Sequence, residues 1–302
     1  MNNIRKKYDI DSIHNQGITG EGVAVAVLDT GIYPHRDFDT RINCFFDCIN
    51  NRKGIYDDNS HGTHVCGIIG GSGRQSRGLY KGIAPECSLI PVKILDKKGL
   101  GSSDAMINGI KWILENKEKY RIRIVNISVG TKSESCADSQ SELVHAVEEM
   151  WKEGITVIAS AGNNGPDYNT ITVPGISSKI ITVGASEVMK GFDARGNTHF
   201  TYSGKGPTLC NVDKPDITAK GSRIVSCHFY GNSYAAKSGT SMSTPIVSGA
   251  AALAFSYNPK LSNESFKEKL CLSARDIGYD RYTQGCGELD LKKLLLLIKP
   301  VL

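Results

Sequence analysis

Val23-Ala-Val-Ala-Val-Leu28 is an unbroken apolar run, bounded by Gly20 and Gly22 before it and Gly31 after it. A strand wet on one face alternates apolar with polar residues. A strand without that alternation is covered on both faces, which is the habit of parallel sheets. Its carboxyl end delivers Asp29, and ligands of open α/β sheets bind outside the carboxyl ends of the strands. Taken alone, Asp29 reads more readily as a turn cap.

Similar short apolar runs at 89–95, 122–127, 155–159 and 180–183 predict four more buried strands. Helical periodicity fills the intervals, from His61 onward, over 102–119 and over 139–153. Strands alternating with helices imply βαβ units, so the expected fold is α/β: a doubly wound, mostly parallel sheet flanked by helices on both faces. After Thr198 the pattern changes to short strands, expected antiparallel, at 200–202 and 224–227. Three helices then follow, one beginning near Ser241 and the others near 263–270 and 289–298. Neither a repeat nor a linker divides the chain. Residues 1–302 are read as one domain, with 1–20 an extension that covers the cleft or packs on the domain.

Composition excludes more than it identifies. The 302 residues are 40% hydrophobic and 22% charged, ordinary for a globular protein. The net charge of +5 is modest and the basic residues are scattered, so nucleic acid is not an expected partner. The most apolar stretch, 294–298, is far too short to span a membrane, and no membrane partner is expected. Met1 leads into Asn2-Asn3-Ile4 and then charge, unlike a secretory signal, and nine cysteines at scattered spacing predict reduced thiols. The expected location is cytoplasmic, unless the chain is a processed piece of a secreted one.

Ser238-Gly-Thr-Ser241-Met-Ser-Thr-Pro245 opens a run of small apolar residues, the way a helix begins when its first turn lies under a reactive group. Unpaired N–H groups at such an amide end favour developing negative charge. A capped core helix would look the same, and what lies upstream decides between them. A nucleophilic serine needs a base, and the base needs a group that holds its tautomer. His61-Gly-Thr-His64 supplies two candidate bases; no further ligand stands at zinc spacing beside them. All seven histidines precede Ser241, which excludes the α/β-hydrolase order. The chymotrypsin order requires a barrel of strands, against the pattern read here. An aspartic protease requires a partner for Asp29-Thr-Gly31, and no second such triplet occurs. The order Asp29, His61, Ser241 remains.

With those residues in place the chain resembles the subtilisin-like (subtilase) serine endopeptidases, most closely the intracellular bacterial branch. Val25-Ala-Val-Leu-Asp29-Thr-Gly-Ile32, Asn59-Ser-His61-Gly-Thr-His-Val65 and Gly239-Thr-Ser241-Met-Ser-Thr-Pro245 are similar to that family's Asp, His and Ser motifs, and the likeness covers nearly the whole length. The resemblance implies Ser241 as nucleophile, His61 as general base and then acid, Asp29 as its orienting carboxylate, and Asn163 as oxyanion donor, with Asn164 its rival. It also implies that Gly99-Leu100-Gly101 and Ser128-Val129-Gly130 pair with an extended protein or peptide substrate, and that Thr172 and Gly175 lie at the base of the first specificity pocket. A catalytically silent binding module is the alternative, but no triad member is missing.

No cofactor or catalytic metal is expected. The 71–81 loop, often a calcium site in secreted relatives, carries Arg74, Arg77 and Lys81 without a carboxylate and would repel a hard cation. Asp37, Asp57 and Asp58 leave room for a structural calcium elsewhere. Cys66, if it lies at the site, makes the enzyme sensitive to bulky thiol reagents. The oligomeric state is not addressed by the sequence.

Overall fold

The computed structural model describes residues 1–187, 191–192, 198–199 and 202–300. In chain order, α1 (Asn2–Lys7) and α2 (Ile10–Asn15) precede β1 (Ala24–Asp29), β2 (Phe46–Asp47), α3 (His61–Gly70) and β3 (Ser88–Lys93). Next come α4 (Ser103–Tyr120), β4 (Ile122–Ile127), β5 (Thr131–Lys132), α5 (Glu142–Lys152), β6 (Thr156–Ser160), β7 (Thr172–Val173) and β8 (Ile181–Ala185). The remainder comprises β9 (Gly191–Phe192), β10 (Thr198–His199), β11 (Ile217–Ala219), β12 (Ile224–Cys227), β13 (Tyr234–Lys237), α6 (Thr240–Tyr257), α7 (Asn263–Ser273), α8 (Arg281–Gln284) and α9 (Leu291–Leu297).

Seven strands form the main sheet in the order β11-β8-β6-β4-β1-β3-β2. Every pairing in it is parallel. All residues of β1, β6 and β8 are buried, as the unbroken apolar runs require. Helices α3 and α6 pack together on one face of the sheet, and α4 and α5 on the other. The chain leaves β1 toward β3 and leaves β4 toward β6, in opposite directions along the sheet. A crevice therefore opens between the carboxyl ends of the adjacent strands β1 and β4, which is where such sheets bind ligands.

Helix α6 is apolar or small nearly all round, and fifteen of its residues are buried, so it is a core helix and not a surface one. Residues 1–20 pack on the domain, where Ile4, Ile10 and Ile13 are buried. The Met1 amine donates to the Val225 carbonyl at 2.7 Å, and Lys7 pairs with the buried Glu288 at 2.6 Å. None of these residues lines the cleft described below, so they do not cover it.

Three sequence expectations need correction. The helix expected over 139–153 starts at Glu142, because Ser141 caps it by accepting from the Val144 N–H, and a short 3-10 turn, Cys136–Gln140, precedes it. The thiols are not all reduced: Cys136 and Cys210 form a disulfide across 74 residues, while the other seven are free. Cys66 is fully buried on α3, and burial pushes its thiol well above the usual range, so it is inaccessible to bulky reagents. Of the strand expected at 200–202, residues 200 and 201 lie outside the described residues, whereas β12 pairs antiparallel with β13. Among the described residues no helix is long and apolar enough to cross a membrane.

Candidate active site

Strand β1 ends in Asp29, which is fully buried and accepts the Thr30 N–H at 2.7 Å. His61 is the first residue of α3, and its Nδ1 lies 2.8 and 2.9 Å from the two Asp29 carboxylate oxygens. The position of α3 is set by how its first N–H groups are satisfied. The His61 N–H donates to Asn59 Oδ1, Gly62 N–H to Thr30 Oγ1 and Thr63 N–H to Asp57 Oδ2, at 3.2, 2.9 and 3.0 Å. Asp57, itself buried, also accepts from the Thr30 and Thr63 hydroxyls and from the Asn59 and Ser60 N–H groups. Close approach of helix to strand needs glycine at 62: a Cβ there would lie 2.2 Å from the Gly31 carbonyl oxygen.

Burial alone would lower the pKa of His61, but the charge and hydrogen bond of Asp29 outweigh it, and the net shift is upward. One turn along, His64 behaves oppositely. Burial, with the charge of Lys237, lowers it to about 3, and its Nε2 lies 3.0 Å from the carbonyls of both Ile224 and Ala235. It is a neutral core histidine, engaged away from His61, and the two do not make a metal pair.

Ser241 occupies the second position of α6, following Gly239, whose φ of +149° favours glycine. The Ser241 hydroxyl donates to the Ser128 carbonyl at 2.7 Å. In this arrangement the hydroxyl is hydrogen-bonded to Ser128 and not to His61. Asn163 follows β6, and its Oδ1 accepts from both the N–H and the hydroxyl of Thr240, at 3.0 and 3.1 Å. That fixes the amide: Nδ2 faces the other way and has no partner among the described residues. The Ser241 N–H, in the first turn of α6, is likewise unpaired among them. Two donors are thus left beside the serine, at the positive end of a long helix.

These groups edge a hollow of about 440 Å³ lined also by Gly99, Ser128, Val129, Gly130 and Thr172. A neighbouring pocket of about 210 Å³ lies between 99–101 and 129–131, floored by Ile94, Met106 and Val173. Leu100 and Gly101 line this second pocket. Gly175 is the exception among the residues expected to bind substrate. It is buried and lines neither hollow; its carbonyl accepts the Thr182 hydroxyl at 2.6 Å. Asn164 lines the larger hollow but lacks the tether to Thr240 that orients Asn163.

Sequence reasoning overlooked Thr30, Thr240 and the supporting role of Asp57. Each stands within four residues of Asp29, His61 or Ser241, and that closeness in sequence was the available signal. Asp37, Asp57 and Asp58 do not converge on a cation site. Asp57 is saturated as described, Asp58 pairs with buried Lys93 at 2.7 Å, and Asp37 accepts from the Gln75 N–H and the Tyr234 hydroxyl at 2.8 and 2.7 Å. Among the described residues the one cluster with metal-ligand character is His35, Asp37 and Cys227. His35 Nδ1 accepts the Asp37 N–H at 3.1 Å and the Cys227 thiol faces the same carboxylate at 3.6 Å, so its lone pairs are already engaged.

The chain is similar to known serine proteases. The profile of the Subtilase family matches residues 20–288. Serine protease AprX of Bacillus subtilis is 42% identical over 274 residues; the match takes in 85% of this chain and 62% of AprX. Subtilisin Savinase of Lederbergia lenta is 35% identical over 265 residues, covering 88% of both chains. Among solved structures, sphericase superposes with a TM-score of 0.77 at 28% identity, over 93% of this chain and 96% of its own.

Proposed function

Because the chain belongs to the subtilase family of serine proteases, we propose that it cleaves internal peptide bonds of extended proteins or peptides, with Ser241, His61 and Asp29 as the reacting triad. The observation that carries this reading is the Asp29–His61 pair, at 2.8 and 2.9 Å, set beside a helix amide end that bears a serine and an unpartnered asparagine amide.

In this scheme the Ser241 hydroxyl turns from Ser128 toward His61, whose Nε2 takes its proton as Oγ attacks the scissile carbonyl carbon. Asp29 holds the Nδ1–H tautomer and stabilises the imidazolium that forms. Charge developing on the carbonyl oxygen is received by Asn163 Nδ2 and the Ser241 N–H, which need no reorganisation because Thr240 and the helix already hold them. His61 then protonates the departing amine, leaving an acyl-enzyme. Water, deprotonated by His61, attacks the ester, and collapse of the second tetrahedral species returns the proton to Ser241 Oγ. Substrate backbone pairs with 99–101 and 128–130, which reads extension more than sequence. All of these steps are served by protein groups.

Incubation with a mixed-peptide pool, read by mass spectrometry, tests the proposal. Internal cleavage by the wild type that disappears in Ser241→Ala is expected; an unchanged pool with the wild type, or cleavage that survives the substitution, counts against it.

A further inference from the structure

Two of the free cysteines stand together beside β11, the last strand at one edge of the main sheet. Cys271 belongs to α7 and is partly buried; Cys286 is exposed, at the start of a segment, 286–289, that runs alongside β11. The Asp216 carbonyl fixes both. It accepts the Cys286 N–H at 2.9 Å, and the Cys271 Sγ lies 3.7 Å from the same oxygen. The two thiols also hydrogen-bond to each other. Neither lines the hollows beside Ser241.

Their surroundings give the two sulfurs different characters. The Asp216 carboxylate is engaged by Lys214 at 2.6 Å, by Lys267 at 3.1 Å and by the Thr182 N–H at 2.7 Å. Among the described residues no third ligand joins the two sulfurs, so they do not complete a metal site. The hydrogen bond from Cys271 lowers the pKa of Cys286 against burial and the Asp216 charge, with Lys267 assisting. The same bond, together with burial, raises Cys271. Burial pushes Cys48, Cys66, Cys87 and Cys227 upward as well. A thiolate is the reactive form, and here it falls on the exposed member of the pair.

We propose that Cys271 and Cys286 are an oxidant-reactive dithiol, which a hydroperoxide converts to a disulfide that ties α7 to the edge of the main sheet. The Cys286 thiolate attacks one peroxide oxygen and the O–O bond breaks. The sulfur becomes a sulfenic acid, and the second oxygen leaves as hydroxide, which takes up a proton as water. Cys271 then attacks the sulfenic sulfur, the S–S bond forms, and the displaced hydroxyl departs with the Cys271 proton as a second water. Two electrons pass from the thiols to the peroxide, and a dithiol reductant reverses the step. The proposal is independent of the peptidase reading.

The test treats reduced, desalted protein with a slight excess of hydrogen peroxide, alkylates the remaining thiols and digests with trypsin, which cuts between the two cysteines at Arg275 and Arg281. Peptides 270–275 and 282–292 are expected as one linked pair, the main product, separated again by reductant. Closing a loop of about fifteen residues should raise Tm by about 3–8 °C on oxidation, a rise absent from Cys271→Ser. In that variant dimedone should trap a sulfenic acid on Cys286, whereas in Cys286→Ser the Cys271 thiol should remain unmodified. Both thiols left free, Cys286 driven to sulfinic acid without a linked pair, or Cys271 oxidised as fast in Cys286→Ser overturns the proposal. A linked pair that leaves Tm no higher than in treated Cys271→Ser overturns the tie between helix and sheet.

Discussion

The Oδ1 of Asn163 accepts two hydrogen bonds from Thr240, one from its N–H at 3.0 Å and one from its hydroxyl at 3.1 Å. Thr240 is the neighbour of Ser241 in sequence, so the same turn of helix that presents this serine also aims the amide that, in the proposed mechanism, would receive the oxyanion. Asn163→Ala should lower kcat by about 10²–10³ with little change in KM, the loss that removing one such donor causes in subtilisin. Thr240→Val keeps the backbone bond and loses the hydroxyl one, so a smaller loss, about tenfold, is expected. Steady-state kinetics decide: a larger fall in Asn164→Ala than in Asn163→Ala would show that the other amide is the donor.

Activity should fall as the pH drops through the His61 pKa, because the imidazolium cannot accept the Ser241 proton. Asp29 raises that pKa, so the midpoint of the acid limb of kcat/KM is expected above about 6.5, the ordinary histidine value. The stability contribution has the opposite sense. A raised folded-state pKa stabilises the fold fully below the unfolded value, and this is lost as the pH rises through the folded one. A kinetic midpoint below 6 would contradict the assigned coupling.

Strands β1 and β4 and the helices α4 and α6 were legible because their signals are local: unbroken apolar runs, amphipathic periodicity, and a glycine-serine start before small residues. The Asp29–His61 pair was legible because chain order excludes the rival arrangements. Less local features were not. The two-residue strands β5 and β7 exist only as partners of each other, paired antiparallel, and carry no pattern of their own. The family resemblance implied Gly175 at the base of the pocket, but it lines neither hollow and its carbonyl accepts the Thr182 hydroxyl. Pairing of Cys136 with Cys210 depends on where distant loops end, which spacing alone does not fix.

Asp57 touches no substrate in the scheme, yet its carboxylate accepts from Thr30, Asn59, Ser60 and Thr63 together. Asp57→Ala would strand several buried donors and release the start of α3. The expected cost is about 3–4 kcal/mol in unfolding free energy, with kcat reduced about tenfold to hundredfold as His61 loses its registration with Asp29. Denaturant titration showing a loss below about 1 kcal/mol would mean that the loop is held by something else.

The disulfide between Cys136 and Cys210 closes a long loop that includes β6, β7 and Asn163. Reduction, or Cys136→Ser, should destabilise the fold by about 2–4 kcal/mol and lower Tm by roughly 4–10 °C. Peptide mapping of the unreduced protein should recover the two cysteines as one linked fragment. Free thiols at both positions, or a Tm indifferent to reductant, would refute the bond's structural role.

The most direct test of the central claim is labelling with a fluorophosphonate, which reacts only with a serine whose proton a neighbouring base removes. Mass spectrometry of the labelled wild type should place the adduct on Ser241, with labelling abolished in Ser241→Ala and reduced at least about a thousandfold in rate in His61→Ala. An adduct on another residue, or Ser241 labelled equally fast without His61, would contradict the account.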